Sequence, residues 1–247
     1  MGLVNADIQV VQLNDPRLQH LTEVGYVVVG ESWGARLRLS DPPDLTVLNA
    51  AVVAATDHGF LIEELDASWA TQVTALEALN HADYPFTPAT SVPHRDESDV
   101  LELWKSGYRL FGAITDGQLV AVSVISLTTA RAETEFTSVH RSFRLRGLAV
   151  AVKAASITAL ADEDVRIFGT GGAQINAGSI RMNDHLGYAV EECWLSLTLP
   201  LRRAPFSAYV RALSLVAVIA VTTIGLSGLS LLDGVGGSEH QSITTSP

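Results

Sequence analysis

The stretch FRLRGLAVAVKAA, residues 143–155, sets two arginines and a glycine directly ahead of an apolar run with helical character. A strand from Glu133 to Val139 precedes it. The chain therefore passes from strand through a short basic loop into a helix from about Gly147 to Leu160. Backbone N–H groups at a helix start lack internal partners, the helix dipole adds positive potential, and a glycine lets an anion approach closely. The junction is built like a diphosphate site, with Arg144 and Arg146 able to pair with phosphate oxygens. On its own it also matches an unliganded basic helix start. Lys153, two turns into the helix, reads as a solvated surface charge.

Around this junction the chain alternates β and α from about residue 59 to 200. Gly59 to Leu65 reads as a strand, and Asp66 or Ser68 caps a helix to about His81 with Trp69, Val73, Leu76 and Leu79 on its apolar face. A Pro-rich loop from Tyr84 to Pro93 leads to a short helix near 98–105. A hairpin follows, Arg109–Thr115 and Gln118–Leu127, turning at Asp116-Gly117. Beyond the opening stretch come a strand Val165–Gly169, a helix from about Ala177 to Leu186 and a strand Tyr188–Leu199. The fold class is α/β with a mixed sheet.

The order of these pieces resembles the GNAT superfamily of acyl-CoA-dependent N-acetyltransferases. Arg144-Leu145-Arg146-Gly147-Leu148-Ala149 is similar to its cofactor motif, Arg/Gln-x-x-Gly-x-Gly/Ala, lying after a strand and opening a helix. Asn176 to Tyr188 resembles the family's Asn-rich helix closed by Leu-Gly-Phe/Tyr. The resemblance covers residues 59–200. It implies a sheet flanked by helices, two neighbouring parallel strands splayed around the pantetheine arm, and backbone amides of residues 144–149 on the pyrophosphate. The cofactor-side residues it implies are Val139, whose N–H would meet the thioester carbonyl, Arg144, Leu145, Arg146, Gly147, Leu148, Ala149 and Asn176. Acetyl-CoA is the expected co-substrate, with no metal.

Three departures matter. Leu145 stands where many members have Gly, and its bulk is expected to narrow the phosphate loop. Thr170-Gly171-Gly172 lacks the Asn of the usual Thr-x-Asn. Asn183 stands where many members carry the Tyr that protonates the departing thiolate, so that proton would come from water, or the domain would catalyse poorly.

Acyl transfer to an amine needs a base and polarisation of the carbonyl. Strand period two puts Glu133, Glu135, Thr137 and Val139 on one face, which the resemblance places beside the amine. Glu135 is the first candidate base and Glu133 the second; a solvated strand-face charge is the plain alternative for either. Gly169-Thr-Gly-Gly172 lacks the glycine register of a dinucleotide loop. His140 reads as structural or solvated, Asp83-Tyr84 as surface loop, and the four tryptophans as packing residues.

Composition bounds the rest. The 247 residues are 47% hydrophobic and 17% charged, with 27 Asp and Glu against 16 Lys and Arg. The net charge of −11 speaks against nucleic acid as a partner. Cys193 is alone, which fits a reducing compartment, and the N-terminus shows no secretory signal. Residues 1–58 are hard to place. Gly25 to Leu39 echoes Gly187 to Leu199, either as the closing piece of a second, largely missing copy or as two amphipathic strands of similar composition.

Residues 201–211 form a basic linker, and 212–232 carry no charge and span roughly 30 Å as a helix. They read as a single transmembrane helix with the globular part on the cytoplasmic side, or as a buried core helix that leaves the protein cytoplasmic. Residues 233–247 read as a disordered tail. The expectation is an N-acetyltransferase moving acetyl from acetyl-CoA to a small-molecule or peptide primary amine by direct attack in a ternary complex. The alternative is a membrane-anchored acyl-CoA-binding or sensing module without catalysis.

Overall fold

The computed structural model of the protein describes residues 8–85, 88, 90, 93–129 and 131–200. Among them the elements run β1 (Ile8–Gln12), α1 (Arg17–Glu23), β2 (Val27–Arg38), α2 (Thr46–Asp57), β3 (Leu61–Leu65), α3 (Ala70–Asn80), α4 (Glu97–Lys105), β4 (Arg109–Thr115), β5 (Gln118–Leu127), β6 (Ala132–Val139), α5 (Leu148–Asp162), β7 (Ile167–Ala173), α6 (Ala177–His185) and β8 (Ala189–Thr198). The strands make one mixed sheet in the order β1-β8-β2-β7-β6-β5-β4-β3. Residues 201–247, with the expected linker, membrane helix and tail, lie outside the described residues. Among the described residues no helix is long and apolar enough to cross a membrane.

Local chemistry accounts for most element ends. The Asp66 carboxylate accepts from Ser68 N and starts the short turn that feeds α3. Asp96 and Asp99 cap each other's backbone N–H at the start of α4, a reciprocal capping box that starts the helix at Glu97, one residue before the expected position. In α3 the buried face is Ala70, Val73, Leu76, Glu77 and Asn80, while Leu79 is exposed. At 100° per residue, positions 73, 76, 77 and 80 share a face and 79 falls outside it.

The core lies on both sides of the sheet. Leu110, Val122, Val124 and Phe136 pack under α3 and α4. On the other face Ala154, Ile157 and Leu160 of α5 meet Phe111, Ile125, Ala132 and Phe168, with Leu48 of α2 closing over them. Between the sheet and α2, α5 is buried around most of its circumference, as its uninterrupted apolar sequence demands.

Residues 8–58 supply two strands, β1 and β2, to this same sheet. The order β1-α1-β2 repeats the order β7-α6-β8, each helix followed by Gly-Tyr and a strand. The pairings β1·β8 and β2·β7 are both antiparallel, and β2·β8 lies between them, an arrangement with local two-fold symmetry. Ser32 pairs with Trp194 and Trp33 with Cys193 at its centre. The pairing slips twice, between Val28 and Gly30 on β2 and opposite Gly34 and Ala35 on β8, so each strand carries one unpaired residue.

Two irregularities position the site. β7 runs on to Ala173, so the Gly169-to-Gly172 segment is strand rather than loop. A Cβ on Gly171 would stand 2.8 Å from the Trp33 carbonyl oxygen, and one on Gly169 would overlap the Glu133 carboxylate. In β6 the register slips so that Phe136 faces Val124 and Thr134 faces Ile125, leaving Glu135 as an extra residue, a β-bulge.

Candidate functional site

β6 and β7 are parallel but paired only at Ala132–Phe168 and Glu133–Gly169. Past these pairs they part, while the other edge of β7 stays bonded to β2 along its whole length. The gap opens a cavity of about 850 Å³, walled by β6 from Glu133 to Val139, by β7 from Thr170, and by the starts of α5 and α6.

At one end lies the basic loop. Leu145 (φ +62°) and Gly147 (φ +78°) are both left-handed, and the first helical bond runs from Ala151 N to Gly147 O. The N–H groups of residues 148–150 therefore precede the helix ladder, and left-handed turns of this kind present successive N–H groups to one concave side. No heavy atom comes within 4 Å of a Cβ placed on Gly147, so an anion has room there. The Leu145 side chain is fully exposed at the mouth of the cavity, which it helps to line; its cost is a left-handed backbone on a residue with a Cβ, about 1 kcal/mol.

Arg144 does not face the helix start. Its Nη2 donates to Asp83 Oδ2 (2.7 Å) and Asn80 Oδ1 (2.9 Å), and its Nε to the Val139 carbonyl (3.2 Å). Arg141 grips the same Asp83 through Nε (2.7 Å) and Nη2 (2.8 Å). Arg141 and then Arg144 hold the Asp83 carboxyl down at about 2. Asp83 is therefore the post to which the basic loop is tied, rather than a free surface charge. Arg146 lies over the Phe143 ring at 5.2 Å, leaving its guanidinium edge at the exposed rim of the loop. His140 accepts from Ser142 N and shapes the turn before the loop.

The Val139 carbonyl also accepts from Asn80 Nδ2 (3.1 Å), while His140 N–H turns back to β5. An extended residue aims its N–H and C=O the same way, so the Val139 N–H points away from β5 into the gap. Asn176 lines the cavity and caps α6 by accepting from Ser179 N (3.1 Å). Leu148 and Ala149 form the first turn of α5, with Leu148 in the core and Ala149 on the cavity wall.

The bulge corrects the face assignment of β6. Ala132 and Val139 are seven positions apart, yet both pack toward α5, which an unbroken period of two forbids. Glu133 and Glu135 stay on the side of Ser126, and Thr137, bonded to Ser123, turns to the other face with Val139. Glu135 is exposed and accepts from Ser126 Oγ (2.6 Å). Glu133 is held by Arg131 (2.7 Å), with Arg36 of β2 at 3.9 Å.

Lys153 is the largest correction among the site residues. It is completely buried, lines the cavity, donates from Nζ to Asn183 Oδ1 (2.5 Å), and sits 4.4 Å from the centre of the Tyr188 ring. Burial brings its pKa down to about 7, against the pull of Glu133. Its burial was announced by the apolar run around it. Asn80, Ser32 and Trp33 also reach the site without any motif to mark them. Nearby, Glu77 is buried beside Arg95 (3.5 Å), and desolvation raises its pKa.

No protein-family model and no curated protein matches the sequence. Solved structures do resemble the chain. One is a GCN5-related N-acetyltransferase from Sphaerobacter thermophilus, with a TM-score of 0.58 and 16% identity over 77% of this chain and 58% of that one. Another is a tandem GNAT protein from the clavulanic acid biosynthesis pathway, with a TM-score of 0.52 and 20% identity over 77% and 62%. A third is a glucosamine N-acetyltransferase region of a fungal multi-domain GH3 beta-N-acetylglucosaminidase, with a TM-score of 0.58 and 11% identity over 76% and 24%. The chain spans less than two thirds of the length of each of these three. What is shared at such identities is the architecture: the chain has the fold of the GCN5-related N-acetyltransferases.

Proposed function

We propose that the protein is an N-acyltransferase that moves an acetyl group from acetyl-CoA to a primary amine by direct attack in a ternary complex. The observation that carries this reading is the parting of β6 from β7 over a cavity with unpaired helix-start amides at one end. The cavity volume and the open space at Gly147 fit a pantetheine arm with its diphosphate. When bound, the thioester supplies the acetyl group. The amides of residues 147–149 would hold the diphosphate, with Arg146 at its rim, while Arg144 braces the loop through Asp83. Val139 would aim its N–H at the thioester carbonyl. Glu135, open to solvent and held by one serine hydroxyl, would take the amine proton through water. Glu133 is the second candidate because it is half-buried and ion-paired with Arg131.

One observation favours the second reading, an acyl-CoA-binding or sensing module: Asn183 has no acidic proton to give the departing thiolate. Acetyl-CoA titration followed by CoA release with a panel of amines separates the two. Amine-dependent release supports the enzyme, and tight binding without release supports the sensor. Glu135→Gln should lower kcat about 10²-fold; an unchanged rate across pH rules the residue out. On this reading residues 212–232 anchor the protein, with the site on the cytoplasmic side. Recovery of the full chain in the soluble fraction after lysis would refute the anchor.

A further inference from the structure

The cavity holds a cation that the transfer reaction just described does not use. Lys153 Nζ is buried, and among the described residues its hydrogen-bond acceptor is a neutral amide oxygen, Asn183 Oδ1, with no carboxylate within ion-pair distance. A buried, unpaired ammonium costs several kcal/mol, and a methionine would fill the same space without that cost. The Tyr188 ring beside it would pack against a methionine as well as against an ammonium. The position suits chemistry: Lys153 lies one turn beyond Ala149 on the same face of α5, about 6 Å further along the helix from the amides assigned to the diphosphate, and both residues line the cavity.

Asn183 is fixed as well. Its Nδ2 donates to Ser179 O (2.8 Å), which leaves Oδ1 turned toward the lysine. The amide holds a proton donor in place where it cannot be one itself. Resting on the acyl-transfer reading, we propose that Lys153 is the catalytic acid that protonates the departing thiolate, with Asn183 as its positioning residue. The attacking nitrogen uses its lone pair to form the C–N bond, the C–S bond breaks with its electron pair going to sulfur, and the Lys153 ammonium gives sulfur one proton. The nitrogen loses one proton through water, by way of Glu135, and Lys153 recovers a proton from solvent. The products are the N-acetyl amide and the free thiol. Among the described residues the titratable groups around Nζ are Glu133 from β6 and Tyr188 just before β8. Burial holds the amine at about pH 7, near the value that suits an acid acting and resetting in neutral solution.

The test uses the full chain in detergent and an acceptor amine of low pKa, so that acceptor ionisation does not shape the profile. In the wild type kcat should fall above about pH 7. Lys153→Met should bind acetyl-CoA within about threefold of wild type, lose about 10²-fold in kcat, and lose that alkaline limb. Lys153→Arg keeps the charge but releases no proton in this range, so it too should lose the limb. Independently of turnover, the ultraviolet absorbance of bound CoA should show thiolate forming at lower pH in wild type than in Lys153→Met, because the ammonium pairs with it. A Lys153→Met enzyme with wild-type kcat and alkaline limb overturns the proposal alone, and absence of acetyl-CoA binding to wild type overturns the underlying reading too. If Lys153→Met does not fold, the wild-type alkaline limb and the thiolate absorbance decide: both absent, the proposal fails.

Discussion

A lysine with no exposed surface makes a prediction about stability that does not depend on any substrate. The folded pKa of Lys153, about 7, lies below its ordinary value of 10.5. Below pH 7 both folded and unfolded chains carry the charge, and the folded state bears the full cost of burying it. Between pH 7 and 10.5 the unfolded state binds more protons, so the stability contributed by this site rises with pH across that window. Lys153→Met should therefore exceed wild type by about 2–4 kcal/mol below pH 7, with the advantage vanishing above about pH 10.5. Chemical denaturation at pH 6 and pH 10 measures it; equal gains at both would show that the amine is not desolvated. The residue's burial could be read from the sequence, because LAVAVKAASITALA has no polar face on which to carry a solvated lysine. Its partner could not, since Asn183 reaches it only through the packing of α6 against α5. The same holds for Arg144, whose charge is visible in the motif but whose partners lie on the end of α3 and the turn after it.

At the scale of elements, the hairpin, the capped helices and the strand-loop-helix junction follow from short-range chemistry, and their expected positions match the structure closely. Apart from Leu79 of α3, which is exposed, the expectations that failed concern strand irregularities. The slip at Glu135 depends on pairing with β5, and the extension of β7 through its glycines depends on β2 arriving close beside it. This gives Gly171 a specific sensitivity. Gly171→Ala would push a methyl to 2.8 Å from the Trp33 carbonyl oxygen, a backbone atom that cannot swing aside. The expected cost is about 1–3 kcal/mol, visible in thermal unfolding. A variant as stable as wild type would mean that β2 and β7 are not in the register seen here.

For the molecule as a whole, the α/β class and the sheet-and-helix order over residues 59–200 were legible. The contribution of residues 8–58 was not, because β1 and β2 find their partners in β7 and β8, far along the chain. The echo between Gly25 and Gly187 was the one sequence trace of that symmetry. Net charge says little about the site: on the proposed reading the basic loop would act through local amides and Arg146, with Arg141 and Arg144 tied to Asp83, inside a chain of charge −11. The central claim is that the gap between β6 and β7 takes acetyl-CoA with its diphosphate on the start of α5. Titrating acetyl-CoA into the full-length protein in detergent, while following the backbone amide resonances of residues 144–149, tests it most directly. The account predicts saturable shifts centred on residues 147–149 with a Kd between about 1 μM and 1 mM; resonances that stay unmoved through that range would contradict it.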